Sequence, residues 1–429
     1  MKVRITPSPV TGVVSMPQSK SYTHRAVIIA SLASGETVIE GPLASDDITH
    51  TIDACRFLGA DIKQEGDVLR VTGTDGRITA SPASQKIFVG NSGSTIRMVA
   101  PVAALARERV VFDGDDRLRQ RPIGDLLAAL ESLGVHARSL KDNGCPPIEI
   151  QGGHLSGGEV AVSGSLSSQP ISSLLMVAPY ADREMSVRLV DRLRSRPYVD
   201  ITIDAMRTFG VEVINYSYVE FLVKGGQRYK GTHYKIEGDY SSAAYFFAAA
   251  AIGGSPLSLK NLRFGSRQGD RNFLTILLDM GCSVENLAGD ISLSRNQKLS
   301  GITINMADYP DIVPPLAIVA AYADGRTEVS NIGHLRFKEA DRIGDTAAEL
   351  RKMGIKTKVT ESTLVIYGGK PRGAEIEAHN DHRLAMSFAI AALFAEGVTV
   401  INGAEAVSKS YPRFFADLAG IGAKIEELP

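Results

Sequence analysis

Along the chain, segments apolar at nearly every position alternate with segments apolar on one face only, and short stretches of apolar–polar alternation separate them. The first kind begins at KSYTHRAVIIASLASG, NSGSTIRMVAPVAALA, SSQPISSLLMVAPYA, DYSSAAYFFAAAAIGG, PDIVPPLAIVAAYADG and NDHRLAMSFAIAALFAEG. Being apolar all round, these predict buried helices, and the Ser, Asn or Asp near each start suits N-capping. The second kind, such as DLLAALESLG and DTAAELRKMG, is amphipathic and predicts helices that lie outside. Each outer helix ends on a glycine followed by alternating residues: FLGADI at Gly59, SLGVHA at Gly134, TFGVEV at Gly210, DMGCSV at Gly281, KMGIKT at Gly354 and GIGAKI at Gly422. A helix C-cap wants a residue free to adopt positive φ, and alternation predicts a strand after it. In five copies a second strand follows, as DVLRVTG, PIEIQGG, VEFLVKGG, DISLSR and TLVIYGG; the copy at Gly422 reaches Pro429 without one.

The unit therefore reads β-α-β-α-β-β, six times over, with a period of about 72 residues. That is too long for an ordinary solenoid repeat but suits small sheet-and-helix subdomains, which group as three plus three into two α/β halves with pseudo-threefold symmetry. The opening MKVRITPS reads as a strand that completes the truncated last copy, which assigns it to the C-terminal half. The expected division is residues 19–237 for one half and 1–18 plus 238–429 for the other, crossing near 17–20 and in the linker-like KGGQRYKGTHYKIEGDY. A length of 429 residues independently favours two domains over one.

Charge narrows the function. With 47 basic against 48 acidic side chains, a formal net charge of −1, the whole molecule has no electrostatic reason to bind nucleic acid or an anionic membrane. The longest apolar runs, Phe246 to Ile252 and Met386 to Phe394, fall short of the roughly 20 residues a membrane span needs. No N-terminal stretch has signal-peptide order, and Cys55, Cys145 and Cys282 are too widely spaced for a disulfide framework or a CxxC metal pair. A cytoplasmic location is expected.

Local charge is more informative. A helix N-terminus disfavours cations, yet Lys20, Arg25, Arg97, Arg121, Arg196, Arg342, Arg383 and Lys409 all fall at or near predicted helix starts. Free N–H groups together with Arg and Lys make an anion site, so the partner missing from the sequence is expected to be a phosphate or carboxylate ligand. For any one of these cations a solvated surface charge is the alternative; recurrence at corresponding points of a repeat favours the site. Ser21, Asn91-Ser92-Gly93-Ser94, Ser167-Ser168-Gln169 and Ser195 accompany them, as caps, as ligand donors, or as both. Gly93 allows a ligand close approach to the backbone. Two carboxylates, Asp311 in DYPDIVPP and Glu339 in FKEADR, are candidates to take or relay a proton, against the plainer readings of helix cap and salt bridge. No P-loop, dinucleotide fingerprint, G-x-S-x-G elbow or H-E-x-x-H is present, so no nucleotide, flavin or metal cofactor is indicated. The cysteines read as structural, and His24 and His382 as supporting residues.

Taken in order, PQSKSYTHRA, GNSGSTIR, RQRPI, SSQPISSLLM, SRPYVDIT, EGDYSSAAYF, YPDIVPPLA, LRFKEADRI, NDHRLAMSF and SKSYPRFF resemble the 5-enolpyruvylshikimate-3-phosphate synthases, the 3-phosphoshikimate 1-carboxyvinyltransferases of the enolpyruvyl transferase family, over the whole chain. The resemblance implies two inverse α/β domains of three repeats each, closing over a cleft. It implies transfer of the enolpyruvyl group of phosphoenolpyruvate to the 5-hydroxyl of shikimate 3-phosphate, by addition and elimination, in the pathway to chorismate and aromatic amino acids. On this basis Lys20, Ser21, Arg25, Ser167, Ser168, Gln169, Ser195, Tyr198, Asp311 and Lys338 would bind shikimate 3-phosphate. Lys20, Gly93, Arg121, Gln169, Arg342, Arg383 and Lys409 would bind phosphoenolpyruvate. Asp311 would accept the hydroxyl proton, Glu339 and Lys20 would handle protons at the methylene carbon and bridging oxygen, and Asn91, Arg97, Asp239 and His382 would support them. The N-terminal half would be the shikimate 3-phosphate side, the C-terminal half the phosphoenolpyruvate and acid–base side, with no cofactor, no nucleic acid or membrane partner, and a monomeric state. Two positions depart from the family pattern: Asn-Ala-Gly-Thr is here Asn91-Ser92-Gly93-Ser94, and Ala340 replaces a hydroxyl residue. Neither removes a charge. A related transferase acting on UDP-N-acetylglucosamine carries an essential loop cysteine that DGDDRLRQRP lacks. A polyanion-binding scaffold would need a basic surface that the composition does not supply.

Overall fold

Among the described residues the strands form six four-stranded sheets, one for each predicted repeat. The second shows the pattern: Lys86–Phe88 and Val110–Asp113 run parallel across a connecting helix, then Ile148–Gln151 pairs antiparallel with Val110–Asp113 and His136–Ser139 with Ile148–Gln151. The computed structural model describes residues 1–79, 86–287 and 289–429.

One compact unit is Ser19–Ile236. It contains α1 (Lys20–Leu32), α2 (Asp46–Phe57), α3 (Gly93–Ala103), α4 (Gly124–Ser132), α5 (Gln169–Val177) and α6 (Arg196–Thr208). The other joins Met1–Gln18 to Glu237–Pro429 and contains α7 (Tyr240–Gly253), α8 (Phe273–Asp279), α9 (Val313–Tyr322), α10 (Gly344–Lys352), α11 (His382–Ala392) and α12 (Phe414–Gly420). Helices α1, α3, α5, α7, α9 and α11 are the ones apolar all round, and their side chains fill the two cores. In the first unit α3 packs on both α1 and α5; in the second α7, α9 and α11 pack on one another. A side chain such as Ile28 or Ile318, with no exposed surface, contributes about 2 kcal/mol of burial.

Packing the apolar helices together gathers their N-termini, which is where the polar motifs lie. The starts are built in two ways. Ser19, Ser92, Asp239 and Asp381 cap α1, α3, α7 and α11 through their side chains, accepting from the backbone N–H of Tyr22, Thr95, Ser241 and Arg383. Helices α5 and α9 have no such cap and place Pro170, and Pro314 with Pro315, in the first turn, where a missing N–H costs nothing. The glycines after the outer helices take positive φ, as at Gly134 (84°) and Gly354 (83°), which permits the sharp return into the next strand.

The N-terminal segment holds the departures from simple repetition. Lys2–Thr6 lies between Thr399–Asn402 and Lys424–Leu428, antiparallel to both, and supplies the last strand of the sixth repeat. Gly12–Ser15, which precedes α1, pairs with Leu257–Lys260, the strand that follows α7. His233–Lys235, which precedes α7, pairs instead with Glu36–Glu40, which follows α1. The first and fourth repeats have thus exchanged leading strands, and the chain passes between units just before α1 and just before α7. Among the described residues, no helix is long and apolar enough to cross a membrane.

Candidate active site

In the Ser19–Ile236 unit, a ladder of buried hydroxyls ties three helix starts together: His24 Nδ1 lies 2.8 Å from Thr51 Oγ1, Thr51 Oγ1 2.8 Å from Thr95 Oγ1, and Thr95 Oγ1 2.8 Å from Ser92 Oγ. Around it stand the cations. Lys20, first residue of α1, is ion-paired at 3.0 Å with Asp47 in the first turn of α2. Arg25 is buried one turn further along α1, and its guanidinium donates to Thr202 Oγ1 (2.6 Å) and to the carbonyls of Ser21 and Tyr198 (both 2.9 Å). These partners carry no charge. Burial therefore pulls the pKa of the Arg25 guanidinium down from its ordinary value to about 10 despite favourable contributions from nearby tyrosines. A buried cation of this kind is unfinished until an anion joins it.

The same unit holds Gln169 at the first position of α5, donating to Ser94 Oγ at 2.9 Å and lying 3.4 Å from Arg97 Nη1, while Ser167 Oγ accepts from its backbone N–H. Ser168 is buried just before it, and Arg97 also donates to the Pro122 carbonyl at 2.8 Å. Arg121 is buried against Asn91, its Nη1 3.3 Å from the backbone oxygen. Gly93 opens α3 beside it: a Cβ there would lie 2.5 Å from Arg121 Cζ and 2.7 Å from Nη1. Ser195 precedes α6 in left-handed backbone (φ 57°) without capping it, although buried. That conformation costs about 1–3 kcal/mol in a non-glycine residue, a cost typical of functional sites. Tyr198 sits in the first turn of α6, packed against the core.

The second unit gathers charges of both signs. Arg342 is buried and reaches three carboxylates: Asp381 (2.7 Å from Nε), Glu339 (2.8 Å from Nη2) and Asp311 (3.0 Å from Nη1). Arg383 reaches the other oxygen of Asp311 at 2.6 Å, and Lys409 lies 3.4 Å from Glu339. Burial opposes the Arg342 charge, but Asp381, Glu339 and Asp311 outweigh it and hold the guanidinium above its ordinary value. Below this layer Arg383 Nη1 lies 3.4 Å from the buried Tyr245 hydroxyl, and His382 Nδ1 lies 3.8 Å from Asp381. Asp239 caps α7, accepting also from Ser242 Oγ at 2.9 Å. Lys338, partly exposed, ends the 3-10 turn Gly333–Phe337.

The structure corrects two expectations. Arg121, Arg342 and Lys409 do not open α-helices: Arg121 follows the 3-10 turn Leu118–Gln120, Lys409 ends the turn Ala404–Lys409, and Arg342 lies in the loop before α10. Nor is every anionic partner absent from the sequence, since Asp47, Asp381, Asp311 and Glu339 answer Lys20, Arg342, Arg383 and Lys409 directly. Asp47 and Asp381 were missed as site residues because an acid at a helix start reads as a cap. Asp270 was missed too. It is buried, accepts from Ser241 Oγ, and burial with the nearby Asp311 charge pushes its carboxyl up to about 7. Among the described residues, no group of three or more His, Cys, Asp or Glu side chains is arranged to hold a metal ion.

Buried guanidinium groups on hydroxylated helix starts in one unit, and carboxylates interleaved with arginines in the other, define an α/β enzyme for small anionic substrates with acid–base groups at hand. The family model for EPSP synthase (3-phosphoshikimate 1-carboxyvinyltransferase) matches residues 5–418. Proteins called 3-phosphoshikimate 1-carboxyvinyltransferase are similar over nearly their whole length: one from Methanocella arvoryzae is 42% identical over 99% of this chain and 100% of its own, and one from Methanothermobacter thermautotrophicus is 43% identical over 96% of each. The solved structure of EPSP synthase from Acinetobacter baumannii superposes with a TM-score of 0.83 at 30% identity, covering 99% of this chain and 100% of that one. The chain belongs to the EPSP synthase family.

Proposed function

We propose that the residues gathered in the two units carry out the family's reaction, each in a distinct role. That reaction is transfer of the enolpyruvyl group of phosphoenolpyruvate to shikimate 3-phosphate, a step of the shikimate pathway. Lys20, Ser21, Arg25, Ser167, Ser168, Gln169, Ser195 and Tyr198 of the Ser19–Ile236 unit, with Asp311 and Lys338 of the other, bind shikimate 3-phosphate. Lys20, Gly93, Arg121 and Gln169, with Arg342, Arg383 and Lys409, bind phosphoenolpyruvate.

The observation that carries the reading is the Asp311–Arg342–Glu339 network. Three cations, Arg342, Arg383 and Lys409, are interleaved with three carboxylates, Asp311, Glu339 and Asp381, so these cations have anionic partners within the protein before substrate arrives. A phosphoenolpyruvate anion that takes up the arginines competes with Asp311 and Glu339 and releases their oxygens for proton transfer. Asp311 takes the proton of the 5-hydroxyl as the hydroxyl oxygen bonds to C2 of phosphoenolpyruvate; the C2=C3 double bond opens and C3 gains a proton to become a methyl group. In elimination that methyl group gives up a proton, the double bond re-forms and the C2–O bond to phosphate breaks. Glu339 and Lys20 handle the protons at C3 and at the bridging oxygen. Holding two multiply charged substrates side by side costs several kcal/mol of repulsion in a poorly screened site, which the buried cations offset.

Phosphate release by the purified protein, measured with both substrates and with each omitted in turn, tests the reading. Release is expected only when both are present; release from phosphoenolpyruvate alone would make the protein a phosphatase and overturn it. Gly93→Ala supplies a residue-level test, because the new methyl group must displace the Arg121 guanidinium. The KM for phosphoenolpyruvate should rise about tenfold or more, since one charge-assisted hydrogen bond contributes about 1.5–3 kcal/mol, with little change in the KM for shikimate 3-phosphate. The three free cysteines suit a reducing compartment, and we place the enzyme in the cytoplasm as a monomer.

A further inference from the structure

Asp381, on which Arg342 rests, follows directly on a strained turn. His379 and Asn380 both adopt left-handed backbone, at φ 51° and 54°, and the Asp381 N–H closes the turn on the Ala378 carbonyl at 2.9 Å. Two successive positive φ values across such a bond make a type I′ turn, which Gly, Asn and Asp favour; Asn380 suits it, while His379 is a less usual occupant. Non-glycine residues persist in that region only where their surroundings over-determine them.

Strand pairing holds the chain up to the turn, with the Ala378 N–H donating to the Asn402 carbonyl at 3.0 Å, and one buried side chain adds to it. Glu349 of α10 is buried, its Oε2 accepts from the Glu377 backbone N–H at 3.1 Å, and its Oε1 lies 2.9 Å from His379 Nε2. Lys352 Nζ, 2.7 Å from Oε2, supplies its counter-charge. Among the described residues Asp345 also lies near the ring, 3.9 Å from His379 Nδ1. Glu349 thus grips the chain on the near side of the turn and within it. On the far side Asp381 has no exposed surface, takes Arg342 at 2.7 and 3.3 Å, and accepts from the Arg383 backbone N–H at 2.8 Å. Helix α10 therefore carries Glu349 within it and Arg342 just before it, with the strained turn bridging the two.

We propose that Glu349 and His379 are a positioning pair for the known reaction: by clamping the left-handed turn 379–380 they fix Asp381, and through it the orientation in which Arg342 meets phosphoenolpyruvate. The pair touches no substrate. Its effect is confined to the substrate Arg342 holds, so the inference rests on the assignment of Arg342 made above. A small loosening should cost less than the roughly hundredfold that a displacement of an ångström can cause.

The test uses the full-length enzyme and initial rates with each substrate varied. His379→Ala, at a side chain only partly buried, is expected to raise the KM for phosphoenolpyruvate about tenfold. The KM for shikimate 3-phosphate should stay unchanged and kcat stay within about twofold. His379→Gln, which keeps a donor for Glu349, should restore most of the loss. Asn380→Gly in the His379→Ala background should restore it too, because glycine holds the turn without a clamp. Glu349→Gln should raise the KM for phosphoenolpyruvate less in the His379→Ala background than in the wild-type enzyme, since the link between the two is already broken there and only the Glu377 and Lys352 contacts of Glu349 are left to change. Failure of Asn380→Gly to rescue, or a parallel rise in both KM values accompanied by a fallen melting temperature, would show a merely structural role and overturn the inference. Arg342→Lys separates the two levels: if it raises the KM for phosphoenolpyruvate while His379→Ala does not, only the positioning role fails. If Arg342→Lys leaves that KM unchanged, the assignment of Arg342 fails and the positioning role with it.

Discussion

Lys20→Met is expected to lower turnover by roughly a thousandfold or more, the scale for removing an electrostatic and proton-handling group together. Methionine matches the length of the lysine stem, so packing at the start of α1 is nearly preserved. What is lost is the one cation in the first turn of that helix, placed against the dipole and held there by Asp47 at 3.0 Å. The partner creates a complication that can be turned into a control. Asp47 is buried at 3% exposure, and removing Lys20 leaves its carboxylate without that counter-charge, a loss that commonly costs about 3 kcal/mol. The single variant should therefore melt lower as well as turn over slowly. Adding Asp47→Asn removes that carboxylate charge and should recover part of the melting temperature while leaving phosphate release at the low level. Recovery of activity along with stability would mean that Lys20 serves the fold and not the chemistry. Near-normal activity in the single variant would remove Lys20 from the site altogether.

The parts of the fold legible in the sequence are those fixed by local physics. A C-cap glycine, an apolar helix and an alternating strand each announce themselves within a few residues, and the positive φ values at Gly134, Gly210 and Gly354 show why those glycines punctuate the repeat. The exchange of Gly12–Ser15 with His233–Lys235 was not legible, because each is a short strand ahead of an apolar helix and nothing within either names its partner. Partner choice there is a long-range property. The same division runs through the site. Cations near helix starts stood out because they oppose the dipole, and Lys20 and Arg383 are indeed in first turns. Arg121, Arg342 and Lys409 came to notice for the same reason although their segments are 3-10 turns and loops, since a proline or a tight turn interrupts a helix without changing its apolar pattern. The carboxylates were harder. Asp381 caps α11 and also seats Arg342, and only the first role is local; the second joins residues 39 positions apart. Asp270 lies 29 positions from the Ser241 hydroxyl it accepts from, within an unremarked stretch, and its raised carboxyl pKa follows from burial that only the packed structure displays.

Asp311→Ala should lose turnover without losing affinity for phosphoenolpyruvate, and the geometry gives the sign of that affinity change. Asp311 lies in the 3-10 turn that leads into α9 and makes no side-chain cap there, so its removal costs the helix little. Its oxygens instead divide between Arg342 at 3.0 Å and Arg383 at 2.6 Å, the two arginines assigned to phosphoenolpyruvate. Loss of a positioned general base typically lowers kcat between about a hundredfold and ten thousandfold. Loss of a carboxylate that competes with the substrate for both guanidinium groups should leave the KM for phosphoenolpyruvate unchanged or lower it, because one negative charge is removed from beside the two arginines. Rates with phosphoenolpyruvate varied at saturating shikimate 3-phosphate separate the two effects. Asp311→Asn should show the lost turnover with a smaller gain in affinity, since the amide oxygen still accepts from one arginine. A residue that only stabilised its helix would give the reverse pattern: kcat nearly intact and a lowered melting temperature. If the KM for phosphoenolpyruvate instead rises severalfold with kcat preserved, Asp311 organises the arginines and does not take the proton, and the base must be sought in Glu339, which shares Arg342 with it at 2.8 Å.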